Sequence, residues 1–484
     1  MKITIVNVTG RMSSDGSRLI SALLKRAHHR VTNIFLARPE PIEYQLEELK
    51  LLDPILNDTD LLMLAVYSSY VLRAVQVTQH ARKFFPELKV IWGGPHCISV
   101  PEMALQHADG VCFSEGDEVV VELVNKIEAG IDYLDTPSMG FRQNGKKIIN
   151  PVRPPFKDLD SLPFYDYGLE NQFLLDRELL PMTNDIIKER MTGYHYNIPI
   201  FFFATSRGCP HHCSYCNNCR YLTMFGKIPP RFLSVQRVLD ELAAARKRFD
   251  FVNFIGFGDD DFFMRPLNQL EEFSVKYKAQ IGLPFGAALS ANTYDKKKLE
   301  VLLDAGLVGI QLGIQTGSQR VLDEVYDRKV SINKTQKVIA ELSQYQASRY
   351  LDLLVDFIVD NPYETREDII QTYRYLLQLP SGIKINIFFL AFFPGTPIYD
   401  RALADGLIEP FDENSFRFFT RTHLRYQKNY ETFLVLFLRK LRNKKNRLGK
   451  ISFFFLGILG SRAVRGPASL VPKPIYSLLS RLVQ

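Results

Sequence analysis

Residues 1–130 alternate short apolar runs with helix-like stretches, and this alternation restricts the fold more than any other feature of the chain. The apolar runs are KITIVNV, VTNIFLA, LLMLAVYS, KVIWGG and GVCFSEG, and helical patterns such as GSRLISALLKR stand between several of them. Strands that alternate with helices favour a parallel, doubly wound sheet. Ligands of such sheets bind at the carboxyl ends of the strands, so the loops after these runs are the first candidates for a binding site.

A second alternating series covers residues 199–410. Its strand candidates are PIFFFATS, FVNFIGFG, FGAALSA, GIQLGIQT, YLDLLVDFIVD and KINIFFLAFF. The helix candidates are Ser234–Phe249, Pro266–Lys278, Asp295–Ala305, Gln319–Tyr326, Asn333–Tyr345 and Arg366–Gln378. An eight-unit barrel takes about 250 residues, so these six units predict a partial (β/α)6 barrel of TIM type.

The two series divide the chain into four predicted regions. They are a Rossmann-like domain at 1–140, a linker at 141–198, the partial barrel at 199–410 and a helical extension at 411–484. The linker assignment rests on the prolines, aromatic residues and mixed charges of NPVRPPFKDLDSLPFYDY.

The extension at 411–484 differs from the rest of the chain in charge. It holds 15 Lys and Arg against three acidic residues, a net charge of +12, whereas the whole chain carries +7. Its run TFLVLFLRKLRNKKNRLGKISFFFLGILG places a basic cluster between two apolar runs, each shorter than the ~20 residues that span a bilayer. This pattern favours a segment that lies at a membrane surface. Helices that dock on the barrel are the alternative, and nucleic-acid binding is disfavoured because no recognition module is visible.

Four of the six cysteines lie within the stretch CPHHCSYCNNC at residues 209–219. The amino-terminal MKITIVNVTG lacks the layout of a secretion signal, so we expect a reducing setting in which clustered cysteines bind metal. Cys209, Cys213 and Cys216 form C-x3-C-x2-C, and three thiolates on a four-iron cluster would leave one iron open to a ligand. Two alternatives remain: zinc bound by Cys213, Cys216 and Cys219 with a neighbouring histidine, and a closed cluster that uses all four cysteines.

The C-x3-C-x2-C spacing resembles the defining motif of the radical S-adenosylmethionine (SAM) superfamily, which lies on the loop after the first barrel strand. The resemblance implies that Cys209, Cys213 and Cys216 ligate a [4Fe–4S] cluster whose open iron binds the amino and carboxylate groups of SAM. It also implies that Tyr215 lies near the adenine of SAM. An electron from an external donor of flavodoxin or ferredoxin type would then cleave SAM to a 5′-deoxyadenosyl radical.

Further segments are similar to that family in the same order along the chain. GFGDDDFF resembles the acidic segment that receives the SAM amino group, GIQLGIQTGSQ the fourth-strand segment and DFIVDNPYET the fifth-strand segment. Gln315 stands where the family usually has a glutamate, and ALSANTYD lacks the arginine often found on the third strand. The SAM contacts that the resemblance implies are Gly258, Asp259, Asp260, Ser290, Gln315 and Ile358.

The segments WGGPHCISVPEMAL and GVCFSEGDEVVVELV resemble the cobalamin-binding domain that precedes the barrel in one radical SAM subgroup. The cobalamin contacts that the resemblance and the strand-end loops imply are Thr9, Gly10, Tyr67, Ser68, Gly93, Gly94, His96, Glu115 and Gly116. The D-x-H-x-x-G motif, whose histidine ligates cobalt in methionine-synthase-type domains, does not occur. We therefore expect His96 to orient a loop. A degenerate domain that binds no cofactor is the alternative.

Together these resemblances imply a cobalamin-dependent radical SAM enzyme, and C-methylation is the expected reaction, with SAM as both methyl source and radical source. One alternative is a radical SAM enzyme that closes a ring or rearranges its substrate without methyl transfer. Another is a non-catalytic, membrane-tethered iron–sulfur electron carrier. No residue is assigned a direct catalytic role. We expect a small-molecule or lipid-like substrate and a cytoplasmic location, with peripheral contact to the inner face of the membrane through the tail.

Overall fold

The computed structural model describes residues 1–10, 12, 16–37, 43–143, 145–192, 197–411, 424–443 and 450–483. The chain forms two compact units. Unit 1 consists of Met1–Ala204, Asn217–Ile255 and Phe393–Thr420, and unit 2 consists of Thr205–Cys216, Gly256–Phe392 and Arg421–Gln484. The four-region division that the sequence suggests stays a prediction.

The first sheet belongs to unit 1 and has nine strands within the described residues. They are β1 Lys2–Asn7, β2 Arg30–Leu36, β3 Leu61–Ala65, β4 Lys89–Gly93, β5 Gly110–Cys112, β6 Met139–Gln143, β7 Lys146–Ile149, β8 Gln172–Leu175 and β9 Leu179–Pro181. Their spatial order is β7-β6-β5-β4-β3-β1-β2-β8-β9. The strands β1 to β5 and β8 pair in parallel, and β6, β7 and β9 add antiparallel edges. The predicted doubly wound sheet is confirmed.

The helices of this part of the chain cover the faces of the first sheet. They are α1 Gly16–Arg26, α2 Leu46–Lys50, α3 Asp53–Leu56, α4 Val71–Phe84, α5 Pro95–Ser99, α6 Pro101–Ala104, α7 Val119–Glu128 and α8 Asn184–Met191. On one face, Leu24 of α1 and Leu123 of α7 pack with Ile5, Met63 and Ile91 of the strands in one buried cluster. Removal of this apolar surface from water holds the strands in place, and the strand ends are thereby fixed.

The second sheet has six strands in the described part of the chain, and their spatial order is their chain order. They are β10 Ile200–Phe203, β13 Phe254–Phe257, β14 Phe285–Leu289, β15 Leu307–Gln315, β16 Asp352–Val359 and β17 Lys384–Phe389, with two-residue strands β11 Ser206–Arg207 and β12 Arg231–Phe232 between the first two. From β14 to β17 each strand is parallel to the next. All six predicted strands of the partial barrel are present.

The helices that alternate with these strands are α9 Asn218–Phe225, α10 Val235–Arg248, α11 Leu267–Gln280, α12 Lys296–Ala305, α13 Ile332–Ser348, α14 Arg366–Gln378 and α15 Pro397–Ala404. Helices α10 to α14 begin within one residue of a predicted helix, whereas α9 and α15 were not predicted. Ser234, Asp295 and Thr365 cap α10, α12 and α14, because each side chain accepts a hydrogen bond from a backbone N–H of the first turn. The predicted helix Gln319–Tyr326 is instead a π-helical turn at Val321–Val325.

The alternation along β16 distinguishes the two faces of the second sheet. Phe357 faces the helices, since its ring lies 6.0 Å from the ring of Tyr375 on α14. Asp356 and Ile358 therefore face the opposite, inner side. There the Asp356 carboxylate accepts hydrogen bonds from Gln311 at 2.6 Å and from Asn386 at 3.2 Å.

The carboxyl-terminal region contains the helices α16 Tyr430–Asn443, α17 Lys450–Leu459, α18 Arg462–Ala468 and α19 Lys473–Val483. Helix α16 packs on α14 and β17, and Leu434, Val435 and Leu438 are fully buried. At its end, Asn443 accepts a hydrogen bond from the Ile385 backbone N–H at 2.9 Å and donates one to the Ile385 carbonyl at 2.7 Å. The basic run at 444–449 lies outside the described residues. Among the described helices, none is long and apolar enough to cross a membrane.

Candidate functional site

The predicted cluster cysteines lie together in the segment Thr205–Cys216 of unit 2. Cys213 is buried, whereas Cys209 and Cys216 are partly accessible. The segment is fastened at Ser214, whose backbone N–H donates to the Tyr326 carbonyl at 2.8 Å and whose hydroxyl donates to the Val325 carbonyl at 2.6 Å. Both carbonyls belong to the π-helical turn and the residue that follows it, so this turn positions the middle of the cysteine segment.

Arg328 places a buried positive charge beside the cysteine segment. Its Nη1 donates to the Cys213 sulfur at 3.5 Å and to the Tyr215 hydroxyl at 3.3 Å, and its Nη2 donates to the Gly313 carbonyl at 3.0 Å. The Tyr215 ring also packs edge-on against the ring of Tyr326, at 4.9 Å between centroids. The guanidinium therefore links a predicted ligand sulfur to the end of β15.

The two predicted aspartates after β13 have different surroundings. Asp259 is buried and accepts hydrogen bonds from the Thr205 backbone N–H at 3.1 Å, from the Thr205 hydroxyl at 3.0 Å and from the Ser206 hydroxyl. Burial raises the pKa of Asp259, and these hydrogen bonds oppose the rise. Asp259 therefore holds the start of the cysteine segment. Gly258 and Asp260 are exposed and remain accessible to a ligand.

The other predicted SAM residues occupy the ends or inner faces of neighbouring strands. Gln315 ends β15 beside a register shift. Its φ is 74°, a backbone conformation that residues other than glycine rarely adopt. A Cβ atom on Gly313 would lie 2.6 Å from the Gln315 amide nitrogen and 3.2 Å from Arg328, so a side chain there would displace the ends of both side chains. Ile358 lies on the inner face of β16, and Ser290 is buried in the turn after β14. Their contacts with SAM stay a prediction.

The donor set of the cysteine segment fits an iron–sulfur cluster. Burial raises the pKa of the Cys209 thiol to about 12, and the nearby Asp260, Cys216 and Cys213 act in the same direction. Three thiolates can therefore coexist here only with a strongly positive group among them. Among the described residues, no three His, Cys, Asp or Glu side chains converge on a single metal ion. A four-iron cluster takes each thiolate on a different iron, so three cysteines spaced along one segment suit such a cluster.

The remaining cysteines are buried thiols in unit 1. Cys219 is on α9, Cys97 on α5 and Cys112 at the end of β5. Burial raises the pKa of Cys112 to about 11 and that of Cys97 well above its ordinary value. Both are thus protonated near neutral pH, as expected of structural cysteines.

The predicted cobalamin residues follow four parallel strands that are neighbours in the first sheet. Thr9 and Gly10 follow β1, Tyr67 and Ser68 follow β3, Gly93, Gly94 and His96 end or follow β4, and Glu115 and Gly116 follow β5. These strands stand in the order β5-β4-β3-β1. Since the carboxyl ends of parallel strands meet at one edge, the sheet brings these loops to a single edge of unit 1.

Two glycines at this edge are required by the backbone. Gly10 has a φ of 65°, and a Cβ atom there would lie 2.5 Å from the Leu36 carbonyl oxygen. Gly94 has a φ of 100°, and its Cβ would lie 2.8 Å from the Val66 carbonyl oxygen. Both contacts are shorter than atoms tolerate, so neighbouring strand ends approach each other closely only because these residues lack side chains.

His96 and Glu115 fasten the loops at this edge. The Nδ1 atom of His96 lies 3.2 Å from the Ser68 hydroxyl, which joins the loops after β3 and β4. Burial lowers the pKa of His96 to about 3, with a smaller contribution from His107, so the ring is neutral near pH 7. Glu115 forms an ion pair with Arg231 at 2.5 Å and accepts from the Phe156 backbone N–H at 2.9 Å.

Sequence reasoning did not identify Arg328, Ser214 or Thr205 as parts of the cysteine site. Arg328 lies 115 residues after Cys213, and no short motif joins the two. The only local signal was the position of Ser214 and Thr205 beside or shortly before the cysteines. These residues act on the predicted ligands through hydrogen bonds.

Comparison with known families and proteins agrees with this geometry. A family model described as the radical SAM superfamily matches residues 203–376. An "uncharacterized methyltransferase PH0819" of Pyrococcus horikoshii is 26% identical over 356 residues, which cover 72% of this chain and 71% of that protein. The anaerobic magnesium-protoporphyrin IX monomethyl ester cyclase of Rubrivivax gelatinosus is 24% identical over 316 residues, which cover 63% of this chain and 51% of that protein.

The fold is similar to that of a solved methyltransferase. The radical SAM methyltransferase TsrM of Kitasatospora setae, with tryptophan and a SAM analogue bound, superposes with a TM-score of 0.67 at 15% identity, over 84% of this chain and 76% of TsrM. TsrM with cobalamin and a [4Fe–4S] cluster bound gives a TM-score of 0.66 at 14% identity. At these identities the likeness establishes the arrangement of strands and helices.

Proposed function

We propose that this chain is an enzyme of the cobalamin-binding subgroup of the radical SAM superfamily, and that it transfers a methyl group from SAM to a carbon atom of its substrate. The observation that carries the proposal is the order of its two sheets. In the described part of the chain, a nine-stranded sheet with glycines at the carboxyl ends of its strands precedes a six-stranded sheet with a three-cysteine segment. The likeness to a protein named as a methyltransferase, and to TsrM, supports this assignment.

The cysteine segment would hold the cluster in two ways. Cys209, Cys213 and Cys216 would supply the thiolates, and Asp259 would fix the start of the segment through Thr205 and Ser206. Bound together, a [4Fe–4S] cluster, SAM and cobalamin would supply reductive cleavage of SAM and carriage of a methyl group. The exposed Asp260 would receive the amino group of SAM.

The loops at the edge of the first sheet would hold cobalamin mainly with backbone groups. Gly10 and Gly94 keep side chains out of the space where strand ends approach. His96 is neutral, and its Nδ1 atom lies 3.2 Å from the Ser68 hydroxyl, which supports the proposal that this residue orients the loop. We infer that cobalt has no histidine ligand from the D-x-H-x-x-G type of site.

A ring-closing or rearrangement reaction without methyl transfer is the second candidate function. A relative named as a cyclase favours this candidate, since the two chains are 24% identical over 316 residues. The chain spans about half the length of that relative. Both candidates need the same cluster and the same SAM site, so they differ only in what happens to the substrate. The non-catalytic electron carrier is disfavoured, because the matched relatives are named as enzymes.

The partners and location follow from the same chemistry. An external low-potential donor would reduce the cluster, and the substrate would be a small or lipid-like molecule. We place the reaction in the cytoplasm, because the buried, unpaired thiols Cys97 and Cys112 and the cluster thiolates need reducing conditions.

The proposal is tested by anaerobic reconstitution with iron, sulfide and cobalamin, followed by incubation with dithionite and SAM. We expect 5′-deoxyadenosine from the wild type and none from Cys209→Ala. S-adenosylhomocysteine that forms alongside it identifies methyl transfer, whereas 5′-deoxyadenosine alone with an altered but unmethylated product identifies the second candidate. If neither protein cleaves SAM although the wild type carries its cluster, both enzyme assignments are wrong.

A further inference from the structure

Helix α19 turns its apolar side away from the protein. Ile475, Leu478 and Leu482 are 46%, 61% and 66% exposed, and their spacing places them on one stripe of the helix. The side that faces the protein instead carries Tyr476 and Ser480, which are 6% and 1% exposed. An amphipathic helix docked on a core normally buries its apolar side chains, whereas these three side chains of α19 stay exposed.

Specific contacts hold α19 in this orientation. The Tyr476 ring lies 5.7 Å from the ring of Tyr430 on α16, and its hydroxyl donates to the Ala468 carbonyl at 2.7 Å. Lys440 of α16 donates to the Leu482 carbonyl at 2.5 Å. The exposed stripe is therefore a consequence of the packing of α19 on α16. Leu470, three residues before the helix begins, is 84% exposed and adds to the apolar surface.

The charge of this region has a single sign. Residues 450–484 contain five Lys and Arg and no Asp or Glu. Arg465 is paired with Glu431 and Glu367. Lys473 and Arg481 are exposed at the two ends of α19, and the described residues give neither of them a carboxylate partner. A partner that complements this surface must offer negative charge over an apolar layer, as anionic phospholipids do.

We propose that the α19 face, defined as Leu470, Ile475, Leu478 and Leu482 with Lys473 and Arg481, binds the surface of a membrane that contains anionic lipid. The apolar stripe inserts between headgroups while the two cations bind phosphates. The described helices are too short or too polar to cross a bilayer, so the helix lies in the interface. This surface is separate from the cysteine segment and adds a binding function to the proposed enzyme.

The test is flotation of the full-length protein with vesicles of phosphatidylcholine, alone or mixed with phosphatidylglycerol. We expect the wild type to float with the mixed vesicles at low salt and to be released by high salt. Leu478→Glu/Leu482→Glu should bind at least about tenfold more weakly. Val275→Glu is the matched control, because Val275 is a 73% exposed apolar residue on α11.

A second pair of variants tests the charge. Lys473→Gln/Arg481→Gln should weaken binding to the mixed vesicles by about tenfold or more, since each cation near an anionic surface contributes about 1 kcal/mol. Lys296→Gln/Lys297→Gln, at exposed positions of α12, should float as the wild type does.

Two results would overturn the proposal. One is wild-type protein that stays in the aqueous fraction with every vesicle, or floats no better than Leu478→Glu/Leu482→Glu. The other is a wild-type dimer in solution that Leu478→Glu/Leu482→Glu disperses while vesicles bind nothing, which would make the α19 face a contact between copies of the chain. Cleavage of SAM by these variants reports on the proposed enzyme separately, so the two proposals can fail independently.

Discussion

The loops at the edge of the first sheet are shaped by the backbone, whereas the cysteine segment of unit 2 is held by side chains. Gly10 and Gly94 allow strand ends to approach within distances that a methyl group would forbid. In the cysteine segment, the Asp259 carboxylate instead accepts hydrogen bonds from Thr205, and the Arg328 guanidinium donates one to Cys213. The first region thus depends on the absence of side chains at two glycines, and the second depends on side-chain hydrogen bonds. The two regions should therefore respond to opposite kinds of substitution.

The largest effect should come from substitution of a predicted cluster ligand in the cysteine segment. Cys213→Ser should abolish the cluster and SAM cleavage, because serine does not replace a thiolate on iron. Iron and sulfide per chain after anaerobic reconstitution measure this directly. Cys219→Ser is the matched control, since Cys219 is also buried but lies outside the three-cysteine motif. If Cys219→Ser also lost its cluster, the closed four-cysteine alternative would gain support.

The loops at the edge of the first sheet should be destabilised when one methyl group is added to a glycine. Gly94→Ala should lower the free energy of unfolding by about 3 kcal/mol and reduce the cobalamin retained per chain, because its Cβ meets the Val66 carbonyl. Gly130→Ala has a similarly positive φ of 66° but open space around it, and should cost about 1 kcal/mol. Urea unfolding of both variants separates the cost of the close contact from the cost of the positive φ. Equal losses in the free energy of unfolding would show that the positive φ alone destabilises Gly94→Ala.

Loss of a carboxylate acceptor should loosen the start of the cysteine segment. Asp259→Asn keeps the shape but replaces one acceptor oxygen by an amide donor opposite Thr205 and Ser206. We expect a loss of about 2 kcal/mol in stability and a slower recovery of the cluster on reconstitution. The exposed Asp240→Asn serves as control. Unchanged melting and unchanged iron content in Asp259→Asn would contradict a positioning role.

Arg328 should affect the potential of the cluster more than its assembly. A hydrogen bond from a cation to a ligand sulfur stabilises the reduced, more negative cluster, so Arg328→Gln should lower the midpoint potential. A charge-assisted hydrogen bond of about 1.4 kcal/mol corresponds to roughly 60 mV for one electron. Redox titration followed by electron paramagnetic resonance measures the shift. Arg328→Lys should recover part of it, and the exposed Lys329→Gln should show none.

The smallest effect should be a pH dependence in unit 1. The pKa of His96 is about 3 in the folded chain, below its value of about 6.5 when unfolded, so the folded state binds fewer protons. Stability should be constant above about pH 6.5 and fall by about 1 kcal/mol by about pH 5.5. His96→Gln should remove most of that loss. His28→Asn, at an exposed position with positive φ, should leave the pH dependence as it is.

Features that depend on residues close together in the sequence were predictable, and those that join distant parts of the chain were not. The C-x3-C-x2-C spacing, the strand runs and the helix that begins near Ser234 are local, and each was visible in the sequence. Arg328 reaches Cys213 only because the end of β15 and the cysteine segment meet in the folded chain. Strand β8 lies within the predicted linker at 141–198, and its four residues are too few for a recognisable strand pattern.

The orientation of helix α19 could not be predicted from the sequence either. The periodicity of residues 473–483 indicates an amphipathic helix, but periodicity does not say which side packs on the protein. That side is decided by Tyr430 and Lys440 on α16, which hold Tyr476 and the Leu482 carbonyl.

The two hydrogen bonds of Asn443 have a consequence for the solution behaviour of the chain. Strand β17 ends the second sheet, and an end strand presents backbone N–H and C=O groups that can pair with another molecule. The Asn443 side chain pairs with both backbone groups of Ile385, as a neighbouring strand would. Helix α16 thus protects the open side of the barrel from edge-to-edge aggregation, and a chain shortened before Asn443 should assemble into oligomers through β17.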